Sequence, residues 1–187
     1  MRTALVLGGG SSVWADADAA MDLCEFDVVV ACNDACAAWP GHLDAAVSLH
    51  PEKYGIWMER RSRSDFPTPE RLIGHKEAGT GTVRLPALPI EFTEWKLPGQ
   101  QDSGSSGLFA LKVALVDLTC DRAILCGVPM DDRFAHFFDP NPWNAAAAHR
   151  RGWKQALPAI ADKARSMSGW TAEQLGRPDE TWLAQAA

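Results

Sequence analysis

Apolar residues follow two different patterns along the first part of the chain. Residues 4–7, 27–31 and 45–49 are apolar almost throughout, which is typical of strands that are buried on both faces of a parallel sheet. Between the first two of these segments, residues 13–24 carry apolar side chains at helical spacing. The two patterns together predict a β-α-β unit that opens at residue 3.

A second β-α-β unit is predicted further along the chain, because an apolar helical segment at 105–118 precedes an apolar strand at 122–126. The other predicted elements are a helix at 52–61, strands near 71–73 and 82–85, a helix at 141–157 that is kinked or ended by Pro158, a strand at 165–167 and two short tail helices separated by residues 176–178. This order predicts an α/β fold. We expect a single domain over residues 1–168, with a mostly parallel sheet and helices on both faces, and a C-terminal helical tail at 169–187.

The composition narrows the class of protein. Hydrophobic residues make up 47% of the 187 residues and the formal net charge is −6, so we expect a globular domain without a broad basic face for nucleic acid. No apolar segment approaches the ~18 residues of a membrane span, and the N-terminus lacks a signal-peptide core, so we expect a cytoplasmic protein. The five cysteines are scattered without metal-ligand spacing, which favours reduced thiols.

A glycine-rich segment, Gly8-Gly9-Gly10-Ser11-Ser12, follows the first predicted strand and precedes the first predicted helix. Glycine allows close approach of the backbone, and a helix N-terminus offers free N–H groups, so this turn is a candidate phosphate site. It matches neither the dinucleotide pattern G-x-G-x-x-G nor a Walker loop. A tight turn without a ligand is the alternative interpretation.

Polar residues follow the next two strands. Asn33 and Asp34 come after the second strand and His50 after the third, so all three are expected at the carboxyl edge of the sheet, where ligands bind in open α/β folds. Asn33 and Asp34 are candidate nucleotide contacts, or they only cap the short helix that follows. His50 is a candidate substrate contact, or a hydrogen-bonded turn residue.

The second β-α-β unit brings another group of candidate nucleotide contacts. Ser105, Ser106 and Gly107 open the predicted helix, where they supply backbone and hydroxyl donors. Gly127 follows the strand at 122–126 and is expected at the same edge of the sheet.

The loop after that strand contains acidic residues and a histidine. Asp131 and Asp132 could bind a divalent ion together with a phosphate, although adjacent acids in a loop are usually solvated. His136 lies in an aromatic segment and is a candidate for proton transfer near neutral pH. A histidine that is only packed among the aromatic rings is the alternative.

The order of these motifs resembles the bacterial CMP-sialic-acid-dependent sialyltransferases, which have a modified Rossmann fold. The similarity lies in a strand ending in Gly-Gly-Gly-Ser-Ser, a strand ending in Cys-Asn-Asp, a Ser-Gly helix entry, a strand ending in Gly-Val-Pro-Met, a later loop histidine and a final short strand. The chain is also similar to their wider relatives, which include flagellin-modifying glycosyltransferase-like proteins and archaeal-type hydroxymethylpterin pyrophosphokinases. The resemblance implies a Rossmann-like domain in which residues 8–12 and Asn33 hold a cytidine nucleotide, residues 105–107 contact the nucleotide or sugar, and His136 is the general base.

The function implied by the resemblance is transfer of a sugar from a CMP-type nucleotide donor to an unknown hydroxyl acceptor, without a required cofactor. An alternative is a pyrophosphokinase that acts on a small heterocycle and needs Mg²⁺, for which Asp131 or Asp132 would be ligands. A third interpretation is a non-catalytic nucleotide-binding or interaction module. A homo-oligomer is a further alternative, because Trp143, Trp153 and Trp170 could lie in an interface between two copies of the chain.

Overall fold

A computed structural model of the chain describes residues 1–75 and 84–185. The strands are β1 (Thr3–Leu7), β2 (Val28–Cys32), β3 (Ala45–Ser48), β4 (Arg71–His75), β5 (Ile90–Thr93), β6 (Arg122–Cys126), β7 (Ala135–His136), β8 (Asp139–Pro142) and β9 (Ala164–Ser166). The helices are α1 (Val13–Met21), α2 (Ala35–Ala38), α3 (Tyr54–Arg63), α4 (Ser105–Lys112), α5 (Ala146–Ile160), α6 (Gly169–Leu175) and α7 (Glu180–Ala184).

Seven of the strands form one parallel sheet in the order β5-β4-β3-β2-β1-β6-β9, and β7 and β8 form a separate antiparallel hairpin. Successive side chains of a strand point to opposite faces. In β1, Ala4 and Val6 belong to a core shared with α4 and α5, whereas Leu5 and Leu7 belong to a core shared with α1, α2 and α3. The predicted α/β fold, with a mostly parallel sheet and helices on both faces, is therefore confirmed.

Several element bounds differ from the sequence predictions. The α-helix at 105 ends at Lys112 and continues as a π-helical segment, Val113–Asp117. Helix α5 begins at residue 146 rather than 141, because residues 139–142 pair with the hairpin strand β7. Pro158 does not end α5, since it lies exposed in the last turn, two residues before the helix finishes.

The sequence predictions were least accurate at the edge of the sheet that is formed by β5. Strand β5 at residues 90–93 was not predicted. Of the predicted strand at 82–85, residues 82 and 83 lie outside the described residues, and Arg84 and Leu85 are not in a strand. The tail forms two short helices as expected, and among the described residues no helix is both long enough and apolar enough to cross a bilayer.

The strand order creates a topological switch point beside β1. The chain passes from β1 outward through β2, β3, β4 and β5, and it then returns to place β6 on the other side of β1. Helix α1, which connects β1 to β2, and helix α4, which precedes β6, pack on opposite faces of the sheet. In open α/β sheets a crevice forms at such a point, outside the carboxyl ends of the strands.

Candidate functional site

A cleft with a volume of about 280 Å³ opens at the switch point. Its lining comes from the ends of β1 (Gly8, Gly9, Gly10), β2 (Cys32, Asn33, Asp34) and β3 (Leu49, His50), and from the 3₁₀ turn and helix α3 that follow β3 (Lys53, Trp57). The rest comes from the start of α4 (Ser105, Ser106, Gly107), the loop after β6 (Gly127, Val128, Pro129, Met130), and the β7–β8 region and α5 (Phe134, Ala135, His136, Phe138, Trp143, His149). The cleft therefore brings together most of the residues that the sequence singled out at separate positions.

Two glycines of the first turn are required by packing between chain segments. A Cβ atom on Gly8 would lie 2.3 Å from the carbonyl oxygen of Gly127, and one on Gly10 would lie 2.7 Å from the Cδ of Pro129. The amide of Gly10 donates a hydrogen bond to the carbonyl of Gly127 at 2.8 Å. The turns after β1 and β6 thus pack directly on one another, which accounts for these glycines without a ligand.

Gly9 differs from its two neighbours. A Cβ atom there would meet only the ring of His136, 3.0 Å from Nδ1, and that of Phe138. Among the described residues the Gly9 amide has no hydrogen-bond acceptor. A donor without a partner in the wall of a cleft is available to a ligand, so Gly9 is the residue of this turn best placed to contact an anion.

Ser11 and Ser12 lie outside the cleft lining, apart from the other predicted residues of the turn. The Ser11 amide donates to the carbonyl of Ala135 at 2.8 Å. The Ser12 hydroxyl is 2.9 Å from both a carboxylate oxygen of Asp16 and the hydroxyl of Ser168. Ser11 therefore links the turn to β7, and Ser12 links it to α1 and to the segment after β9.

Asn33 is held in a fixed orientation at the end of β2. Its backbone is in the left-handed region, with φ of 53°, and its Oδ1 accepts a hydrogen bond from the fully buried Ser48 hydroxyl at 2.7 Å. The same hydroxyl accepts the amide N–H of His50 at 2.8 Å. Because Oδ1 is engaged, the side-chain Nδ2 of Asn33 remains as a hydrogen-bond donor at the cleft.

Asp34 and His50 have partners of their own. The Asp34 carboxylate pairs with the guanidinium of Arg60 at 3.0 Å, so its charge is balanced at the cleft wall. His50 is exposed, and its Nδ1 lies 3.3 Å from the Glu52 carboxylate. Both residues line the cleft.

The start of α4 closes another side of the cleft. The Ser106 hydroxyl accepts the amide N–H of Leu49 at 3.3 Å, which joins α4 to the end of β3. A Cβ atom on Gly107 would lie 2.6 Å from a methyl group of Val128, so this glycine lets α4 approach the loop after β6. These contacts place the N-terminal turn of α4, with its partial positive charge, at the cleft.

Backbone strain is concentrated at this site. Five non-glycine residues in the described ranges have positive φ, and three of them line the cleft: Asn33, Ser105 with φ of 73° and Met130 with φ of 46°. Such conformations cost free energy and are found most often at functional sites. Their clustering supports a functional interpretation of the cleft.

His136 is positioned by both hydrogen bonding and packing. Its Nδ1 lies 3.1 Å from the carbonyl oxygen of Gly9, and its ring stacks on Phe138 at a centroid distance of 5.0 Å. Trp143 also contacts the imidazole, at a centroid distance of 5.5 Å. A carbonyl can only accept, so Nδ1 carries the proton in this bond and Nε2 is left to exchange a proton with a ligand.

Several lining residues were not predicted from the sequence. Lys53, Trp143 and His149 are brought to the cleft by helix and hairpin packing. The clustering of aromatic residues near position 140 could have indicated Trp143 alone. Cys32 also lines the cleft, but burial raises the pKa of its thiol to about 12. The thiol therefore stays protonated at neutral pH and is not a nucleophile.

The predicted alternative metal ligands lie outside the cleft lining. The Asp131 carboxylate is bound by the guanidinium and the amide of Arg133, and this pairing lowers the pKa of Asp131 to about 2. Asp132 is exposed. In the described ranges, the group of potential metal ligands that lie within reach of one another is His42, Asp44 and Glu70, which precede β3 and β4 at the opposite edge of the sheet.

No protein-family model and no curated protein sequence matches the chain. Among solved structures, the sialyltransferase CstII from Campylobacter jejuni in complex with the substrate analogue CMP-3FNeuAc matches with a TM-score of 0.59 and 13% identity, over 96% of this chain and 89% of that chain. A variant of the sialyltransferase Cst-II in complex with CMP matches with a TM-score of 0.65 and 12% identity, over 96% of this chain and 87% of that chain. At this level of identity the likeness is one of fold, and the chain has a Rossmann-like α/β fold similar to that of CstII.

Proposed function

We propose that the cleft binds the CMP part of a nucleotide sugar and that the protein transfers the sugar to an acceptor hydroxyl. The observation that carries the proposal is the meeting of Gly9, Asn33, the start of α4 and His136 in one cleft at the switch point. The similarity in fold to a sialyltransferase whose structures contain CMP and CMP-3FNeuAc supports the choice of nucleotide.

The size and polarity of the cleft favour a mononucleotide. Its volume of about 280 Å³ is just below the ~300–1,000 Å³ that is typical of small-molecule sites. The amide N–H of Gly9 and the first turn of α4 offer donors to a phosphate. The Nδ2 group of Asn33 offers a donor to the ribose or the base, and its orientation is set by Ser48.

His136 is the proposed general base. In the reaction, the bond between the anomeric carbon and the phosphate oxygen breaks with its electron pair remaining on the phosphate. The acceptor oxygen forms the new bond to the carbon, and its proton passes to Nε2 of His136. Phe138 and Trp143 pack against the imidazole and hold it in place for this step.

Calorimetry and thermal unfolding with CMP test the proposal. We expect CMP to bind and to raise the melting temperature without a metal ion. Asn33→Gly should weaken CMP binding about tenfold through loss of a hydrogen bond to the ligand, and glycine keeps the left-handed backbone. Asp65→Gly is the matched control, because Asp65 has a similar φ of 57° and does not line the cleft.

Two outcomes would contradict the proposal. Absence of CMP binding to the wild-type protein at millimolar concentration would exclude the cytidine nucleotide as ligand. Stabilisation only by ATP with Mg²⁺ would favour the pyrophosphokinase alternative, for which Asp131 is poorly placed since Arg133 occupies its carboxylate.

A further inference from the structure

A second histidine of the cleft is anchored in the same way as His136. His149 lies in the first turn of α5 and stacks on Trp143 at a centroid distance of 5.7 Å and an interplanar angle of 15°. Its Nδ1 lies 3.3 Å from the carbonyl oxygen of Ser103, so Nδ1 carries the proton in this bond. Within residues 1–75 and 84–185, Nε2 of His149 has no hydrogen-bond partner.

The position of His149 places it beside the start of α4. Ser103 precedes that helix by two residues, and residues 105–107 line the cleft together with His149. The amide groups of a first helical turn attract an anion. An imidazolium next to this turn adds a full positive charge and a second type of donor at the same place.

The surrounding charged groups leave His149 free for this role. On α5, Arg150 donates to the carbonyl of Met130 and Arg151 pairs with Asp102. Asp102, the acid nearest in sequence to the start of α4, also accepts from Gln155. Across the cleft, His50 is paired with Glu52 and Asp34 is bound to Arg60. The other titratable residues of the lining are Cys32, Lys53 and His136.

We infer that His149, as an imidazolium, donates a hydrogen bond from Nε2 to the phosphate of the nucleotide and stabilises it as the leaving group. The inference rests on the function proposed above. During transfer the phosphate gains the electron pair of the broken carbon–oxygen bond, and its negative charge rises from that of a diester to that of a monoester. A fixed cation therefore binds the departing phosphate more strongly than the bound donor, which is the requirement for catalysis. His149 keeps its proton throughout, while His136 receives the proton of the acceptor.

The test compares CMP with cytidine by calorimetry, at pH 6, in the wild-type protein and two variants. His149→Asn keeps a donor for the Ser103 carbonyl and removes both the charge and Nε2, whereas His149→Gln keeps a neutral donor near Nε2. We expect His149→Asn to weaken CMP binding at pH 6 about tenfold and to leave cytidine binding unchanged.

All proteins are compared at the same pH, so that the phosphate has the same ionisation in each measurement. His149→Gln should bind CMP with an affinity between those of the wild type and His149→Asn, because it keeps a donor but carries no charge. His42→Gln is the matched control, since His42 is exposed and outside the cleft, and its CMP affinity should equal that of the wild type.

The outcomes separate the two proposals. If CMP does not bind the wild-type protein, the proposed function fails and this inference with it. If CMP binds but both His149 variants retain full CMP affinity at pH 6, the function stands and the phosphate contact of His149 is wrong. A loss of affinity for cytidine equal to that for CMP would also overturn it, because a phosphate contact cannot weaken binding of a nucleoside.

Discussion

The carboxylate of Asp16, on α1, accepts a hydrogen bond from the amide N–H of Gly127, directly after β6, at 2.9 Å. The hydroxyls of Ser12 and Ser168 donate to the same oxygen, at 2.9 and 2.7 Å. This buried carboxylate joins the turn after β1, the turn after β6 and the segment after β9. It therefore holds together the two turns that form one wall of the cleft.

Replacement of Asp16 should affect both stability and the cleft. We expect Asp16→Ala to lower the free energy of unfolding by about 3 kcal/mol, because it leaves buried donors without an acceptor, and to weaken CMP binding by displacing Gly127. Denaturant unfolding measures the first effect and calorimetry the second. Asp18→Ala on the exposed side of the same helix is the control, and equal stability of the two variants would contradict the assigned role of Asp16.

The three consecutive glycines should differ in their tolerance of a side chain. Gly8→Ala should destabilise the protein, because its Cβ would lie 2.3 Å from a carbonyl oxygen that cannot move freely. Gly9→Val should leave the fold largely intact and abolish nucleotide binding, since its side chain would lie against the imidazole of His136 in the wall of the cleft. Circular dichroism and CMP calorimetry of both variants measure these effects. A folded Gly9→Val protein with unchanged CMP affinity would remove this turn from the site.

The pairing of Asp131 with Arg133 predicts a stability difference that depends on pH. Because the pKa of Asp131 is lowered to about 2 from an ordinary 3.8, the ion pair stabilises the protein above pH 4 and this contribution is lost as the pH falls to 2. Arg133→Ala should lower the melting temperature by about 2 °C at pH 6, and the difference should shrink towards pH 2. Arg177→Ala, which removes another exposed arginine, is the control for net charge. A difference that is constant with pH would argue against this pairing.

The central strands could be predicted because both of their faces are buried. In β1 and β6 the apolar residues are continuous, and a short run of this kind is typical of a strand inside a parallel sheet. Strand β5 is an edge strand with exposed Glu91 and Phe92, so no such pattern marks it. Strand β8 contains two prolines and pairs with only two residues of β7. Its pairing depends on the position of the hairpin turn, and its own residues do not indicate a strand.

The part of the cleft that follows the strands could also be anticipated. Glycine or polar residues directly after β1, β2 and β6 must meet at one edge of a parallel sheet. His149 lies on a helix and Lys53 in a 3₁₀ turn, and their approach to that edge depends on tertiary packing that spacing does not encode. The sequence likewise could not separate Gly9 from Gly8 and Gly10, since their difference lies in what a Cβ atom would touch.

His136 provides the most direct test of the chemistry. If it is the general base, His136→Ala should lower turnover of a CMP-sugar donor by about 10² to 10⁴-fold, while CMP affinity stays nearly the same. His136→Asn keeps a donor for the Gly9 carbonyl and lacks Nε2, so it should preserve the melting temperature and still lose turnover. If the melting temperature of His136→Ala falls sharply, and activity falls only in proportion to the unfolded fraction, then the ring is structural and the base must be another group of the cleft.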